Sequence, residues 1–139
     1  MKKITFDPAK GRLWINIEML GIYFITYAYQ MWSAIASEPP ILSNPLRKGN
    51  NDSPHDDHFE VINDFNTTDP LANFDKRCLD VNFWVKKIET NDNGYILKLN
   101  LLQGNDFESA TLLDNIVVTG TLGTLNLKEE GAVIQLIKK

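Results

Sequence analysis

A two-residue hydrophobic period recurs along this chain and leaves little room for anything but strands. Leu79, Val81, Phe83 and Val85 alternate with Asp80, Asn82, Trp84 and Lys86. Tyr95, Leu97, Leu99 and Leu101 then alternate with Ile96, Lys98, Asn100 and Leu102. Successive side chains of a strand point to opposite faces, so each run carries one apolar face. Asn91-Asp-Asn-Gly94 stands between the runs. Asn and Gly tolerate the positive φ that a tight turn demands, so the two runs are expected to pair as a hairpin.

The same period marks further strands. Ile4 and Phe6 alternate with Thr5 and Asp7, and Leu13, Ile15, Ile17 and Met19 alternate with Arg12, Trp14, Asn16 and Glu18. Asp7-Pro-Ala-Lys-Gly11 between them has turn chemistry, with Pro8 fixing φ and Gly11 free to take a positive one. Gly21 breaks the chain before a third strand, Ile22 to about Trp32. Phe59, Val61 and Ile62 mark a short one. Asp106 to Leu113 has room for one or two helical turns. Ile116–Leu122, Leu125–Lys128 and Val133–Ile137 close the chain, with Glu129-Glu-Gly131 expected to turn the last pair. Eight or nine short strands in 139 residues predict an all-β fold, a single antiparallel β-sandwich of the C2-like or immunoglobulin-like kind. No internal repeat or domain boundary stands out.

Met19 to Ser37 holds no charged residue and is near the length of a membrane span. Its tyrosines, Thr26, Gln30 and Ser33 dilute the hydrophobicity, and its β-branched and aromatic content favours a strand. No membrane span is expected. A net charge of -4 argues against a nucleic-acid partner, which demands a basic footprint. Cys78, the only cysteine, excludes an internal disulfide and fits a reducing, cytoplasmic setting. Two sequons, at Asn51 and Asn66, carry little meaning in that setting.

Residues 37–57 hold four prolines and a Gly-Asn-Asn-Asp run, the composition of a long loop. Asp52, Asp56 and Asp57 in it are candidate calcium ligands, because hard cations want several oxygens and loops between strands can supply them. The spacing is not that of an EF-hand. His55 and His58, the only histidines, are too few to close a zinc tetrahedron alone. A solvated loop with Asx and Ser turn caps accounts for the same residues. No cofactor is required; calcium is the one the loop could take.

Catalysis finds less support. Ser53, His55 and Asp57 are a nucleophile, a base and an acid, but they crowd into five positions, whereas triads assemble from separated elements. Neither a nucleophile elbow nor a phosphate-binding loop occurs. Cys78 lies beside Lys76 and Arg77, cations able to lower its pKa, yet no motif surrounds it, and a structural cysteine is expected.

The aromatic residues are more informative. Trp14 and Trp84 fall on the polar faces of their strands, and Tyr27 and Tyr29 share one side of the third. Exposed, these four would form a platform for a glycan or a protein, since Trp and Tyr bury large area at low entropy cost. Covered, they are a second layer of core. Val133–Ile137 is apolar on both faces, so it must be central or covered by a partner subunit through strand pairing. The expected function is therefore a non-catalytic binding or interaction module with a protein or glycan partner. A calcium-dependent glycan or lipid binder, a structural subunit of an assembly and a small hydrolase using His55 or His58 stand as alternatives.

Overall fold

In the computed structural model, residues 1–20, 23–32, 46–50, 55–65, 67–87, 94–122 and 127–139 are described. They form β1 (Lys2–Phe6), β2 (Arg12–Leu20), β3 (Tyr23–Trp32), β4 (Leu46–Asn50), β5 (His55–Glu60), β6 (Cys78–Lys87), β7 (Tyr95–Gly104), β8 (Thr111–Gly120) and β9 (Leu127–Lys138). A helical turn, α1 (Val61–Asp64), and a 3₁₀ turn, Leu71–Phe74, lie between β5 and β6. The strands make two sheets, β1-β9-β6-β3-β4 and β5-β2-β7-β8, packed as a sandwich. All ladders are antiparallel except β1 on β9, which is parallel, with Lys2 opposite Ile134 and Phe6 opposite Lys138. No helix among the described residues is long and apolar enough to cross a membrane.

The core is built by the alternation. β2 contributes Leu13, Ile15, Ile17 and Met19, and β3 contributes Ile25, Tyr27, Tyr29 and Met31. β6 adds Leu79, Val81, Phe83 and Val85, and β7 adds Tyr95, Leu97, Leu99 and Leu101. Burying a tyrosine hydroxyl without a partner is costly, and two of the buried phenols have an acidic partner. Tyr29 donates to the Asp64 carboxylate of α1, and Tyr95 donates to Glu130 Oε1 at 2.8 Å. Tyr29 also stacks on Phe59 with ring centroids 4.0 Å apart.

The pairing differs from the expected one in several places. β6 and β7 do not form a hairpin: β6 pairs with β3 and β9, β7 with β2 and β8. Their apolar faces meet across the core from opposite sheets, and Asn91–Asn93 lie outside the described residues. Leu46–Asn50, inside the expected 37–57 loop, is an edge strand on β3. Val61 and Ile62 turn into α1 rather than extend the strand. The segment after Asp106 is a turn followed by β8, which begins at Thr111.

Glu129-Glu-Gly131 is no turn either. β9 runs straight through it, with Gly131 opposite Asn82 and Glu129 opposite Trp84. The charges fit a strand because Glu130 is engaged by Tyr95 and by Lys128, whose ammonium is 3.2 Å away. The two-faced segment Val133–Ile137 lies inside the sheet, with β6 beside Val133, Ile134 and Gln135 and β1 beside Ile134 to Ile137. The Asp7–Gly11 turn does match its reading, with Gly11 at φ 96°. A Cβ there would lie 2.7 Å from the Gly104 carbonyl carbon.

Candidate functional site on the outer face of the four-stranded sheet

Register fixes which polar side chains meet on the outside of β5-β2-β7-β8. Trp14 lies opposite Glu60 and Leu102, and Leu102 opposite Leu112. One step along, Asn16 lies opposite His58 and Asn100, and Asn100 opposite Asn115. One step further, Glu18 lies opposite Asp56 and Lys98, and Lys98 opposite Val117. With strands about 4.8 Å apart, each row spans roughly 15 Å. An apolar row thus adjoins an amide row, and the amide row adjoins a charged one.

Asn100 is the centre of this face. It is 8% exposed although it points away from the core. Its Nδ2 donates to Asn16 Oδ1 at 2.9 Å and to Glu18 Oε2 at 3.0 Å. A carboxylate only accepts, so the Glu18 contact fixes the amide orientation and turns Asn100 Oδ1 the other way. Among the described residues no donor reaches that oxygen, and neither the Lys98 ammonium nor the Asn115 side-chain amide has a partner. Asn16, Glu18, Lys98, Asn100, Leu102, Leu112 and Asn115 line an open pocket of 330 Å³.

The β7–β8 connection walls one end. Phe107 stacks on His58, centroids 4.0 Å apart and planes 7° apart, and meets the Trp14 ring edge-on at 6.2 Å. Trp14 Nε1 donates to the Gly104 carbonyl at 3.0 Å, which holds the indole in place. Asp106 caps the same connection by accepting from the Ser109 N–H and hydroxyl. Those bonds hold its carboxyl below the ordinary pKa, the wrong direction for a general base.

The four aromatic residues singled out by sequence do not come together. Trp14 is half-buried on this face, whereas Trp84 is half-buried on the outer face of the other sheet, opposite Thr26 and Glu129. Tyr27 and Tyr29 are fully buried between the sheets and present nothing to a ligand, because β3 turns that side inward. Trp32, which the sequence did not single out, is 38% exposed near Trp84's sheet face and bonds Asp80.

Of the candidate calcium ligands, Asp52 lies outside the described residues. Asp56 and Asp57 belong to β5, in register with Glu18 and Ile17, rather than to a loop. Among the described residues no group of three or more His, Cys, Asp or Glu is placed to hold a metal. His55 is in β5 opposite Met19, and Ser53 lies outside the described residues. Arg77 does not serve Cys78: its guanidinium pairs with Asp69 at 2.8 Å and lies over the Phe74 ring. Burial, and then the Asp80 carboxylate, push the Cys78 thiol up, opposite to the activation its basic neighbours suggest.

Sequence reasoning placed Asn16, Glu18, Lys98 and Asn100 on polar strand faces but had no signal to join them. The signal is the register between strands far apart in the chain. Comparison with family models, with curated proteins and with solved structures found no match.

Proposed function

We propose that this chain is a non-catalytic binding module whose ligand face is the outside of β5-β2-β7-β8. The observation that carries the reading is Asn100 Oδ1, an acceptor on a side chain 8% exposed that no donor reaches among the described residues. A ligand donor would complete the hydrogen bonding of this acceptor. The pocket around it has convergent polar groups beside the apolar Leu102 and Leu112, the composition of a small-molecule site. A protein surface would instead want a broader apolar centre.

Thermal unfolding of the full chain against a panel of sugars, nucleotides, amino acids and dicarboxylates tests this. A ligand bound only by the folded state raises stability by mass action. At least one solute is expected to raise the Tm of the wild type and not that of a Lys98→Met/Asn115→Ala variant. Stabilisation that is equal in both proteins, or absent throughout, overturns the reading.

A further inference from the structure

The chemistry of the open valences narrows the ligand class, an inference that rests on the binding face just proposed. Asn100 Oδ1 requires a donor. Lys98 Nζ and the Asn115 side chain, both without partners among the described residues, offer donors that require acceptors. These groups converge on one 330 Å³ pocket, near the small end of the roughly 300–1,000 Å³ that small-molecule sites occupy.

Charged ligands fail one requirement each. A phosphate or carboxylate ligand carries acceptors, so it would suit Lys98 but leave Asn100 Oδ1 unbonded and face the Glu18 carboxylate. An ammonium would suit Asn100 and Glu18 but meet Lys98. Among the residues that line the pocket, Glu18 and Lys98 carry opposite charges, so neither sign of ligand is matched by both. A hydroxyl both donates and accepts, and neighbouring hydroxyls on a ring meet the planar amide of Asn100, the carboxylate of Glu18 and the ammonium of Lys98 together. The adjoining row of Trp14, Leu102 and Leu112 supplies an apolar surface for the C–H face of the same ring.

We infer that the pocket on Asn100 binds a neutral saccharide, its vicinal hydroxyls on Asn100, Glu18, Lys98 and Asn115 and its C–H face on Leu102 and Leu112.

The test is an amide ¹⁵N–¹H titration of the full chain with three sets of probes. Methyl glycosides of glucose, galactose, mannose and N-acetylglucosamine with their disaccharides form the first. Glucose 6-phosphate and glucuronate form the second, and a neutral Gly-Ser tetrapeptide the third. Saturable shifts from a neutral glycoside at Asn16, Lys98, Asn100, Leu102, Leu112 and Asn115 are expected. Lys98→Met and Asn115→Ala should each weaken that binding at least several-fold. Both side chains are half-buried and make no hydrogen bond or ion pair among the described residues, so the folded spectrum should persist. Shifts at these residues from the anionic sugars or the peptide, and not from neutral glycosides, overturn the saccharide class while the binding face stands. Glycoside shifts confined to other residues, or no shift here from any probe, overturn both.

Discussion

Two buried or half-buried polar side chains show how single residues hold this fold. Gln103 is 7% exposed and uses every bonding group it has. Its Nε2 donates to the carbonyls of Asp7 at 2.6 Å and Gly11 at 3.1 Å, and its Oε1 accepts the Asp7 N–H at 3.1 Å. It therefore fastens the turn from β1 to β2, where the chain passes from one sheet to the other. Gln103→Leu takes the side-chain partner from the Asp7 N–H and the Gly11 carbonyl, while the Asp7 carbonyl keeps the Lys10 N–H. At about 1–3 kcal/mol for each group that stays dry, the expected loss is about 2 kcal/mol or more. Urea unfolding should show a lower midpoint at unchanged slope; an unaltered midpoint would mean that water replaces the side chain. Asp80 makes the opposite case. Burial raises its pKa, and the bond from Trp32 offsets only part of that rise. A carboxyl whose folded pKa exceeds its unfolded value binds its proton more tightly when native. Its contribution to stability is complete below the unfolded pKa and is lost as pH rises through the folded one. Asp80→Asn keeps an acceptor for Trp32 and removes the charge. The variant is expected to melt higher than the wild type at neutral pH, with the difference closing in acid. Thiol-reactivity profiles should also show the Cys78 pKa falling, since the Asp80 charge helps to raise it. A Tm difference that is independent of pH would refute the argument.

At the scale of elements, side-chain period tells which face of a strand is buried but not which strand lies beside it. That is why Leu79–Lys86 and Tyr95–Leu102 were legible as strands while their pairing was not. Inward alternation is the same for two strands of one sheet and for two strands that face each other across a core. The proposed binding face suffered the same loss. Asn100 sat visibly on a polar face, but Asn16 and Asn115 join it only through the β2–β7 and β7–β8 ladders. Composition misled at Glu129-Glu-Gly131, where β9 pairs through residues that usually turn a chain. Edge protection was likewise invisible. β8 is the last strand of its sheet, and Lys2 reaches across from β1 to donate to Asp114 Oδ1 at 3.0 Å and to the Asn115 carbonyl at 2.8 Å. Lys2 thereby blocks part of a strand edge beside Val117, which is 49% exposed. The ion pair is open to solvent, so Lys2→Ala should cost less than about 1 kcal/mol. Its larger effect should be on association, because an uncapped edge templates another strand. Sedimentation velocity is expected to show a dimer growing with concentration in the variant beyond any in the wild type. Identical profiles would show that Lys2 does not guard the edge.

For the molecule as a whole, the parallel ladder of β1 on β9 joins residues 2–6 to residues 134–138, the longest separation that any ladder spans. Closing a long loop costs entropy before the contact returns anything, so sandwiches of this kind fold on about the millisecond-to-second scale. The β7–β8 ladder is local by comparison, and β2 then adds to it along Arg12–Leu20. This order of costs implies that the β2-β7-β8 layer, which carries the proposed binding face, forms early, and that β1 docks late. Phe6 and Leu99 report the two stages. Phe6 is 1% exposed in β1, and Leu99 is 1% exposed at the middle of β7. Phe6→Ala should cost about 3–5 kcal/mol and Leu99→Ala about 2–5 kcal/mol, as buried truncations do. Their kinetics should differ. A contact absent from the transition state changes unfolding, whereas one present in it changes folding. Stopped-flow chevrons are therefore expected to show Phe6→Ala raising the unfolding rate with the folding arm nearly fixed, and Leu99→Ala slowing folding. If Phe6→Ala slows folding as much as Leu99→Ala does, the ends of the chain meet before the β2-β7-β8 layer is built.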